Sequence, residues 1–164
     1  MNRSYNIRKI LNNPKNIIMG SLGFFFGVGF IFLLSLYTQI IISETDSLPK
    51  HYFLHFTFCK PGLKDHTLLY SKWYGKKIIK QIVGVEGDKV WYDKEKCLWV
   101  NQHKVGFIKS TSKDKRTLTP IKSQVIPKGY VFVYSDHTSS FDSRYQELGL
   151  VPVAILERKV IPLL

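Results

Sequence analysis

The sequence predicts a mainly β domain preceded by one membrane-spanning helix. Residues 17–42 contain no Asp, Glu, Lys or Arg and are mostly apolar. After them, short β-prone segments alternate with turn-forming residues, and no long helical period occurs. We therefore divide the chain into a basic cytoplasmic N-terminus (1–16), a transmembrane helix (17–42) and an exported β-rich domain (43–164).

The apolar segment is long enough to cross a bilayer. Its 26 residues reach about 39 Å as a helix at about 1.5 Å per residue, and a hydrocarbon core is about 30 Å thick. A cleavable signal peptide has an apolar core of only about 7–15 residues, followed by a small-residue cleavage site. No Ala-x-Ala-like site precedes Glu44. The segment therefore predicts a retained anchor.

Charge predicts the orientation of this anchor. Arg3, Arg8, Lys9 and Lys15 precede it, and no acidic residue does. By the positive-inside rule the N-terminus stays in the cytoplasm, so we expect a single-pass protein of the inner (cytoplasmic) membrane with a periplasmic domain. The net charge of +12 divides into +4 before the anchor and +8 after it, and the basic residues of the exported domain are scattered and not concentrated in a stripe. It favours contact with the lipid bilayer over nucleic acid, since no nucleic-acid recognition motif accompanies it.

Seven segments of the exported domain are predicted as strands. They are rich in aromatic and β-branched residues. Turn signals such as Gly87-Asp88, Pro127-Lys128-Gly129 and Ser135-Asp136-His137-Thr138 separate several of them. The predicted strands are 51–58, 66–70, 78–85, 89–92, 98–100, 130–134 and 151–161. A short turn is expected near 145–148.

The cysteines and histidines give little indication of a cofactor. Cys59 and Cys97 are the two cysteines of the chain, and either a disulfide or two buried thiols fits them. The spacing of His51, His55 and Cys59 suits metal ligation on a helix, but residues four apart on a strand lie about 13 Å apart. We therefore expect no metal and no other cofactor.

A lysine within a predicted strand is the first candidate for catalysis. On a strand, Ile78, Lys80 and Ile82 share one face. An apolar wall of this kind desolvates the amine, lowers its pKa and leaves a neutral base that can accept the proton of a serine hydroxyl. The alternative is an edge-strand lysine whose charge hinders aggregation.

Two further stretches supply hydroxyl groups. Ser47 follows the anchor closely, which places its side chain near the bilayer surface. The loop from Ser139 to Tyr145 combines serines with a carboxylate and a guanidinium, and Arg144 can hold Asp142 as a bidentate pair. Such a loop can orient an amine. Taken alone, an ordinary turn capped by an ion pair is the simpler interpretation.

Three stretches in this order resemble the serine/lysine signal peptidases of the S26 type. They are Ser47-Leu48-Pro49, the Lys-x-x-x-Gly-x-x-Gly-Asp block from Lys80 to Asp88, and Phe141-Asp142-Ser143-Arg144-Tyr145. Leu-Pro after the serine is similar to the conjugative-transfer, TraF-like branch. The resemblance covers nearly the whole chain, including the anchor and its orientation.

The resemblance implies a signal-peptidase-like β catalytic domain with a Ser–Lys dyad. Ser47 matches the nucleophile and Lys80 the general base. Thr45 matches the position whose hydroxyl joins the backbone N–H of Ser47 in an oxyanion hole.

The same resemblance assigns roles to the third stretch. Ser140 and Asp142 match the positions that orient the lysine, and Ser143 and Arg144 are expected to support them.

The implied function is that of a membrane-anchored serine endopeptidase. Its expected partners are the lipid bilayer and exported preproteins with a small-x-small cleavage site, in particular a pilin or another conjugative-transfer substrate. The sequence indicates no oligomeric state. The alternative is a catalytically inactive, membrane-anchored adaptor of a secretion or conjugation apparatus.

Overall fold

The computed structural model describes residues 14–42, 52–137 and 139–163. The chain divides into two compact units, residues 1–38 and residues 39–164. The first contains helix α1 (Pro14–Tyr37), and the second is built mainly from strands.

Helix α1 is apolar around its whole circumference. Pro14 stands at its first position, where the missing N–H is harmless. From Ile17 to Tyr37 the mean hydropathy is 2.4, and none of this stretch is buried against protein. Its 21 residues reach about 32 Å, enough to cross a hydrocarbon core of about 30 Å. The helix is therefore long and apolar enough to span a membrane.

The helix ends at Tyr37, whereas the sequence predicts a helix as far as Ile42. The last residues of the predicted segment instead form strand β1 (Thr38–Ile42). Threonine and three isoleucines in five residues explain the change, because β-branched side chains favour strand over helix.

The second unit contains two sheets. The seven-stranded sheet has the order β1-β2-β11-β3-β4-β9-β10, and the four-stranded sheet has the order β7-β6-β5-β8. After β1, the strands are β2 (Tyr52–Phe56), β3 (His66–Ser71), β4 (Lys76–Gly84), β5 (Lys89–Tyr92), β6 (Leu98–Val100), β7 (His103–Gly106), β8 (Gln124–Val125), β9 (Tyr130–Tyr134), β10 (Val151–Pro152) and β11 (Lys159–Pro162). The mainly β prediction is confirmed.

The C-terminal prediction is wrong in one respect, because residues 151–161 do not form a single strand. The chain leaves β10 at Pro152, forms a 3₁₀ turn (Val153–Ile155), and re-enters the sheet as β11 between β2 and β3. Proline has no N–H to continue a ladder, so the strand breaks there. Strands β7 and β8, which are short, were not predicted.

Strand β4 lies in the interior of the seven-stranded sheet, between β3 and β9. The edge-strand interpretation of Lys80 is therefore wrong. The predicted alternation is confirmed, because Ile78 and Ile82 pack on one face with Leu69, Val131, Val133 and Val151. Ile79 points to the other face, where it packs with Phe53, Leu68 and Val160.

A third apolar cluster joins the two sheets. It contains Val90, Leu98, Val100 and Val105 from the small sheet and Phe132 and Tyr134 from β9, with Ile121 and Ile126 from the connections. Gly84 lies where β4 meets this cluster. A Cβ atom there would lie 2.7 Å from side-chain carbons of Ile126 and Val100, so no larger residue fits without rearrangement.

The two cysteines are free thiols. Cys97 is buried and Cys59 is half-buried.

Candidate active site

The amine of Lys80 lies in a closed polar pocket at the junction of β4 and β9. Lys80 is only 3% exposed. Its Nζ atom donates hydrogen bonds to Ser135 Oγ (3.1 Å) and to Ser140 Oγ (2.5 Å). Both acceptors are hydroxyl oxygens, which can orient an amine without compensating a positive charge as a carboxylate would.

Strand register explains why Ser135 reaches Lys80. Gln81 pairs with Tyr134 across β4 and β9, so in an antiparallel ladder the preceding residue of β4 faces the residue that follows β9. Ser135 was not predicted as a site residue, since the stretch after Tyr134 was interpreted as a turn. Only the pairing of β4 with β9 identifies Ser135 as a partner of Lys80, and the sequence does not reveal that pairing.

Burial lowers the pKa of Lys80 from 10.5 to about 8. Desolvation of the amine is the largest cause. The negative charge of Asp142 opposes this effect and raises the pKa, whereas the positive charge of Arg144 lowers it. A substantial fraction of the amine is therefore neutral slightly above pH 7.

Asp142 and Arg144 form a buried, bidentate ion pair beside this amine. Asp142 is 0% and Arg144 2% exposed. Arg144 Nε donates to Asp142 Oδ1 (2.8 Å), and Arg144 Nη2 donates to Asp142 Oδ2 (2.9 Å). Burial acts to lower the pKa of Arg144, but the hydrogen bonds and the charge of Asp142 outweigh it and raise that pKa.

The ion pair also fixes the backbone around the lysine. Asp142 Oδ2 accepts the backbone N–H of Ser135 (3.3 Å), so its link to Lys80 runs through Ser135. Arg144 Nη2 donates to the carbonyl oxygens of His137 (3.2 Å) and Ser140 (3.1 Å). One guanidinium therefore holds the loop that carries a hydroxyl partner of the lysine.

Ser143 supports the loop from a different direction. Its Oγ accepts the N–H of Val133, and its own N–H donates to the carbonyl of Val133, both at 3.0 Å. The side chain thus replaces a missing ladder partner of β9. Ser143 is buried and anchors the loop without contacting the amine.

An aromatic stack secures the same loop. The ring of Phe141 stacks on Trp73 (centroids 4.8 Å apart) and on Tyr145 (6.2 Å). The guanidinium of Arg116 covers the outer face of Trp73 at 4.1 Å from its centroid. Because Phe141 lies between Ser140 and Asp142 in sequence, the stack restrains both. No sequence pattern had singled out Trp73 or Arg116.

A cavity of about 410 Å³ lies along β4, with apolar side chains and polar or charged ones in its lining. Ile79, the residue before Lys80, lines it together with Leu68 and Ile41. An ion pair between Lys77 and Glu157 (2.7 Å) also borders it. The cavity can therefore take apolar side chains of an extended polypeptide.

The predicted site residues are brought together as far as the structure describes them. Lys80, Ser140, Asp142, Ser143 and Arg144 form one contiguous buried cluster. Ser47 and Thr45, the predicted nucleophile and oxyanion donor, lie outside the described residues, as does His51.

A family model matches most of the chain. The family model of the signal peptidases, peptidase S26, matches residues 24–162. No match was found among curated proteins. Among solved structures, a signal peptidase I from Enterococcus faecalis V583 is 24% identical, covers 61% of this chain and 96% of its own, and superposes with a TM-score of 0.39.

Proposed function

Because this chain belongs to the signal peptidase family, peptidase S26, we propose that it cleaves exported proteins with a Ser–Lys dyad, in which Ser47 is the nucleophile and Lys80 the general base. Family membership and the apolar helix Ile17–Tyr37 support a membrane-anchored signal peptidase. We further propose the Ser–Lys dyad, the class of substrate and the side of the membrane on which the domain lies.

The observation that carries the dyad is the environment of Lys80. The amine is 3% exposed, burial holds its pKa at about 8, and its hydrogen-bond acceptors among the described residues are hydroxyl oxygens. A structural lysine would be expected to pair with a carboxylate, but the nearby Asp142 is committed to Arg144. An amine kept neutral near physiological pH is suited to general-base chemistry.

In the proposed reaction, neutral Lys80 accepts the proton of the Ser47 hydroxyl while the Ser47 oxygen attacks the scissile carbonyl carbon. The protonated amine then returns this proton to the nitrogen of the leaving chain as the C–N bond breaks. Ser135 and Ser140 orient the amine throughout. Water, or the amino group of another residue, resolves the acyl-enzyme.

The oxyanion of the tetrahedral intermediate is assigned to the Thr45 hydroxyl and the backbone N–H of Ser47. This assignment rests on the sequence motif. Loss of one such donor costs about 2.7–4 kcal/mol of transition-state stabilisation in other enzymes.

The proposed substrates are preproteins with a small-x-small cleavage site, and in particular a pilin or another protein of conjugative transfer. The Leu48-Pro49 pair after the serine supports this branch. The cavity beside Ile79 supports an extended polypeptide as substrate. The basic residues before helix α1 support an exported, periplasmic domain in the inner membrane.

Co-expression with candidate pilins and preproteins, followed by intact-mass analysis, tests the proposal. Wild-type protein should shorten at least one substrate, and Ser47→Ala and Lys80→Ala should each leave it full length. A matched control is Lys89→Ala, which removes an exposed strand lysine and should process normally. Mass also separates hydrolysis from cyclisation, because the two products differ by one water.

Unchanged processing by Ser47→Ala would contradict the dyad. It would instead favour a membrane-anchored adaptor, in which the three sequence blocks serve as scaffold for a secretion or conjugation apparatus.

A further inference from the structure

A second, smaller cavity lies against the loop that holds Lys80. Its volume is about 220 Å³, room for roughly seven water molecules at about 30 Å³ each. Ser140, which accepts a hydrogen bond from Lys80, forms part of its wall. Tyr74, at the tip of the β3–β4 hairpin, also lines it, together with four residues that follow β7: Lys109, Thr111, Ser112 and Lys113.

The floor of this cavity is apolar and its rim is polar. Leu118, Phe141 and Tyr145 are buried side chains of the lining. The hydrogen-bonding side chains of the lining carry hydroxyls or amines, and they belong to Tyr74, Lys109, Thr111, Ser112, Lys113, Ser139, Ser140 and Tyr145. The Tyr145 hydroxyl accepts the backbone N–H of Lys109. No Asp or Glu is among the lining residues described.

Two lysines of the rim have no carboxylate partner within the part of the chain that the structure describes. Among the described residues, neither Lys109 nor Lys113 forms an ion pair, whereas Lys77, Arg116 and Lys159 do. Lys109 Nζ donates to Ser139 Oγ (3.1 Å), which leaves further N–H groups of its ammonium for a ligand. The nearest acidic residue in sequence, Asp114, is bound to Arg116 and Ser112.

Two cations that have no ion-pair partner among the described residues lie on the wall of one cavity, and together they attract an anion. A concave, partly apolar wall focuses their field, and the surrounding hydroxyls can donate hydrogen bonds to it. A carboxylate is the anion that a polypeptide carries, as an acidic side chain or as a free C-terminus. A pocket of this size accepts either group.

We propose that the cavity bordered by Lys109, Lys113 and Ser139 is a subsite for a carboxylate of the substrate, close to the bond that is cleaved. This inference rests on the proposed function, because it takes a polypeptide as the substrate. The position next to Ser140 places the subsite near the base, so the carboxylate belongs to a residue within a few positions of the scissile bond.

The test uses the full-length protein in detergent and synthetic peptides with an Ala-x-Ala cleavage site. Glu and Gln are compared at each position flanking the site, and every peptide is made with a free and with an amidated C-terminus. At low ionic strength, kcat/KM should favour the carboxylate by about fivefold in at least one pair, and added salt should reduce the preference. The Glu/Gln pairs report a side-chain carboxylate, and the free/amidated pairs report a C-terminal one.

Charge variants identify the responsible residues. Lys109→Gln combined with Lys113→Gln should bring the carboxylate preference to about one. Lys109→Glu combined with Lys113→Glu should reverse it, so that a Lys-containing peptide is preferred over Gln. The control pair Lys94→Gln with Lys96→Gln removes the same charge from an exposed turn and should retain the preference. The subsite proposal would be wrong if the control pair lost the carboxylate preference as fully as the Lys109/Lys113 pair, or if the wild type showed no such preference.

Binding separates this inference from the proposed function. Fluorescence anisotropy of the same labelled peptides with Ser47→Ala measures the preference without turnover. If no peptide is cleaved by the wild type, the dyad proposal fails, but a carboxylate preference in binding that depends on Lys109 and Lys113 still supports the subsite. If binding shows no such preference, the subsite is refuted. It is also refuted if Lys109 and Lys113 are needed for binding to anionic lipid vesicles and not for binding to peptide carboxylates.

Discussion

The Nζ atom of Lys80 lies 2.5 Å from the Oγ atom of Ser140, although 60 residues separate them in sequence. The contact joins the central strand β4 to a loop that the Asp142–Arg144 pair and the Phe141 stack hold in place. The position of the amine therefore depends on a loop whose own geometry is fixed by buried charges and aromatic rings.

The rate of peptide cleavage should rise with pH. In the proposed dyad the neutral amine is the active form, and burial lowers the pKa of Lys80 to about 8. We expect kcat/KM to climb about tenfold per pH unit below this value and to level off above it. Steady-state kinetics from pH 6 to 10 check this, and a flat profile between pH 6 and 9 would contradict the role of Lys80.

Replacing Lys80 by Met should stabilise the folded domain at neutral pH. The pKa of Lys80 is lowered on folding, so the folded state disfavours the ammonium form below about pH 8. A shift of this size corresponds to about 3 kcal/mol. The advantage of Lys80→Met should persist at low pH and disappear as pH rises from about 8 towards the pKa of an unfolded lysine, about 10.4. Denaturant unfolding of both proteins at pH 7 and pH 10 measures it, and a pH-independent difference would refute the argument.

Asp142 and Arg144 should shift the pH profile in opposite directions. Asp142 raises the pKa of Lys80 and Arg144 lowers it. Asp142→Asn should therefore move the rise of kcat/KM to lower pH, and Arg144→Met should move it to higher pH. Each variant should also lose about 3–5 kcal/mol of stability, because one buried charge remains unpaired. Ser143→Ala, which disturbs the loop without touching the ion pair, is the control and should leave the midpoint in place.

Ser135→Ala should reduce kcat more than it changes KM. The substitution removes one of the two hydroxyls that orient the amine, and we expect a loss of about tenfold from a less well-placed base. Ser123→Ala, which removes an exposed hydroxyl before β8, is the matched control for kcat. Equal kcat values for the two variants would show that Ser135 does not orient Lys80.

Gly84→Ala should destabilise the domain by overpacking. The added Cβ would lie 2.7 Å from side-chain atoms of Ile126 and Val100 and 3.1 Å from Phe132 Cβ. Insertion of a methyl group into a packed core costs about 1–3 kcal/mol. Gly62→Ala, where the nearest atom lies at 3.8 Å, should change the melting temperature little. A melting temperature equal to wild type for Gly84→Ala would contradict the close packing.

Local sequence patterns correctly predicted those strands whose own composition is strongly β-prone. The aromatic and β-branched segments at 89–92, 98–100 and 130–134 form β5, β6 and β9 with the predicted bounds. The alternation around Lys80 correctly gave its apolar face. Strands β7 and β8 were missed because their own composition is weakly β-prone. Strand β8 also pairs with β5, which lies far away in sequence, whereas β7 pairs with its neighbour β6.

The parts of the site that could not be predicted depend on tertiary contacts. The alternative role of Lys80 was an edge-strand lysine, because a sequence does not show which strands flank it. Ser135 contacts Lys80 only because β9 pairs with β4. Trp73 reaches Phe141 because the tip of the β3–β4 hairpin folds over the loop after β9. Each of these contacts depends on the order of strands in the sheet, and local propensity does not predict that order.

The burial of Lys80 also bears on when the protein becomes competent. In an extended chain emerging from the membrane, this side chain is hydrated and carries its proton at any physiological pH. On the proposed assignment, the nascent polypeptide is therefore inert. Under that assignment the base forms only when folding buries the amine, so folding would itself activate the peptidase.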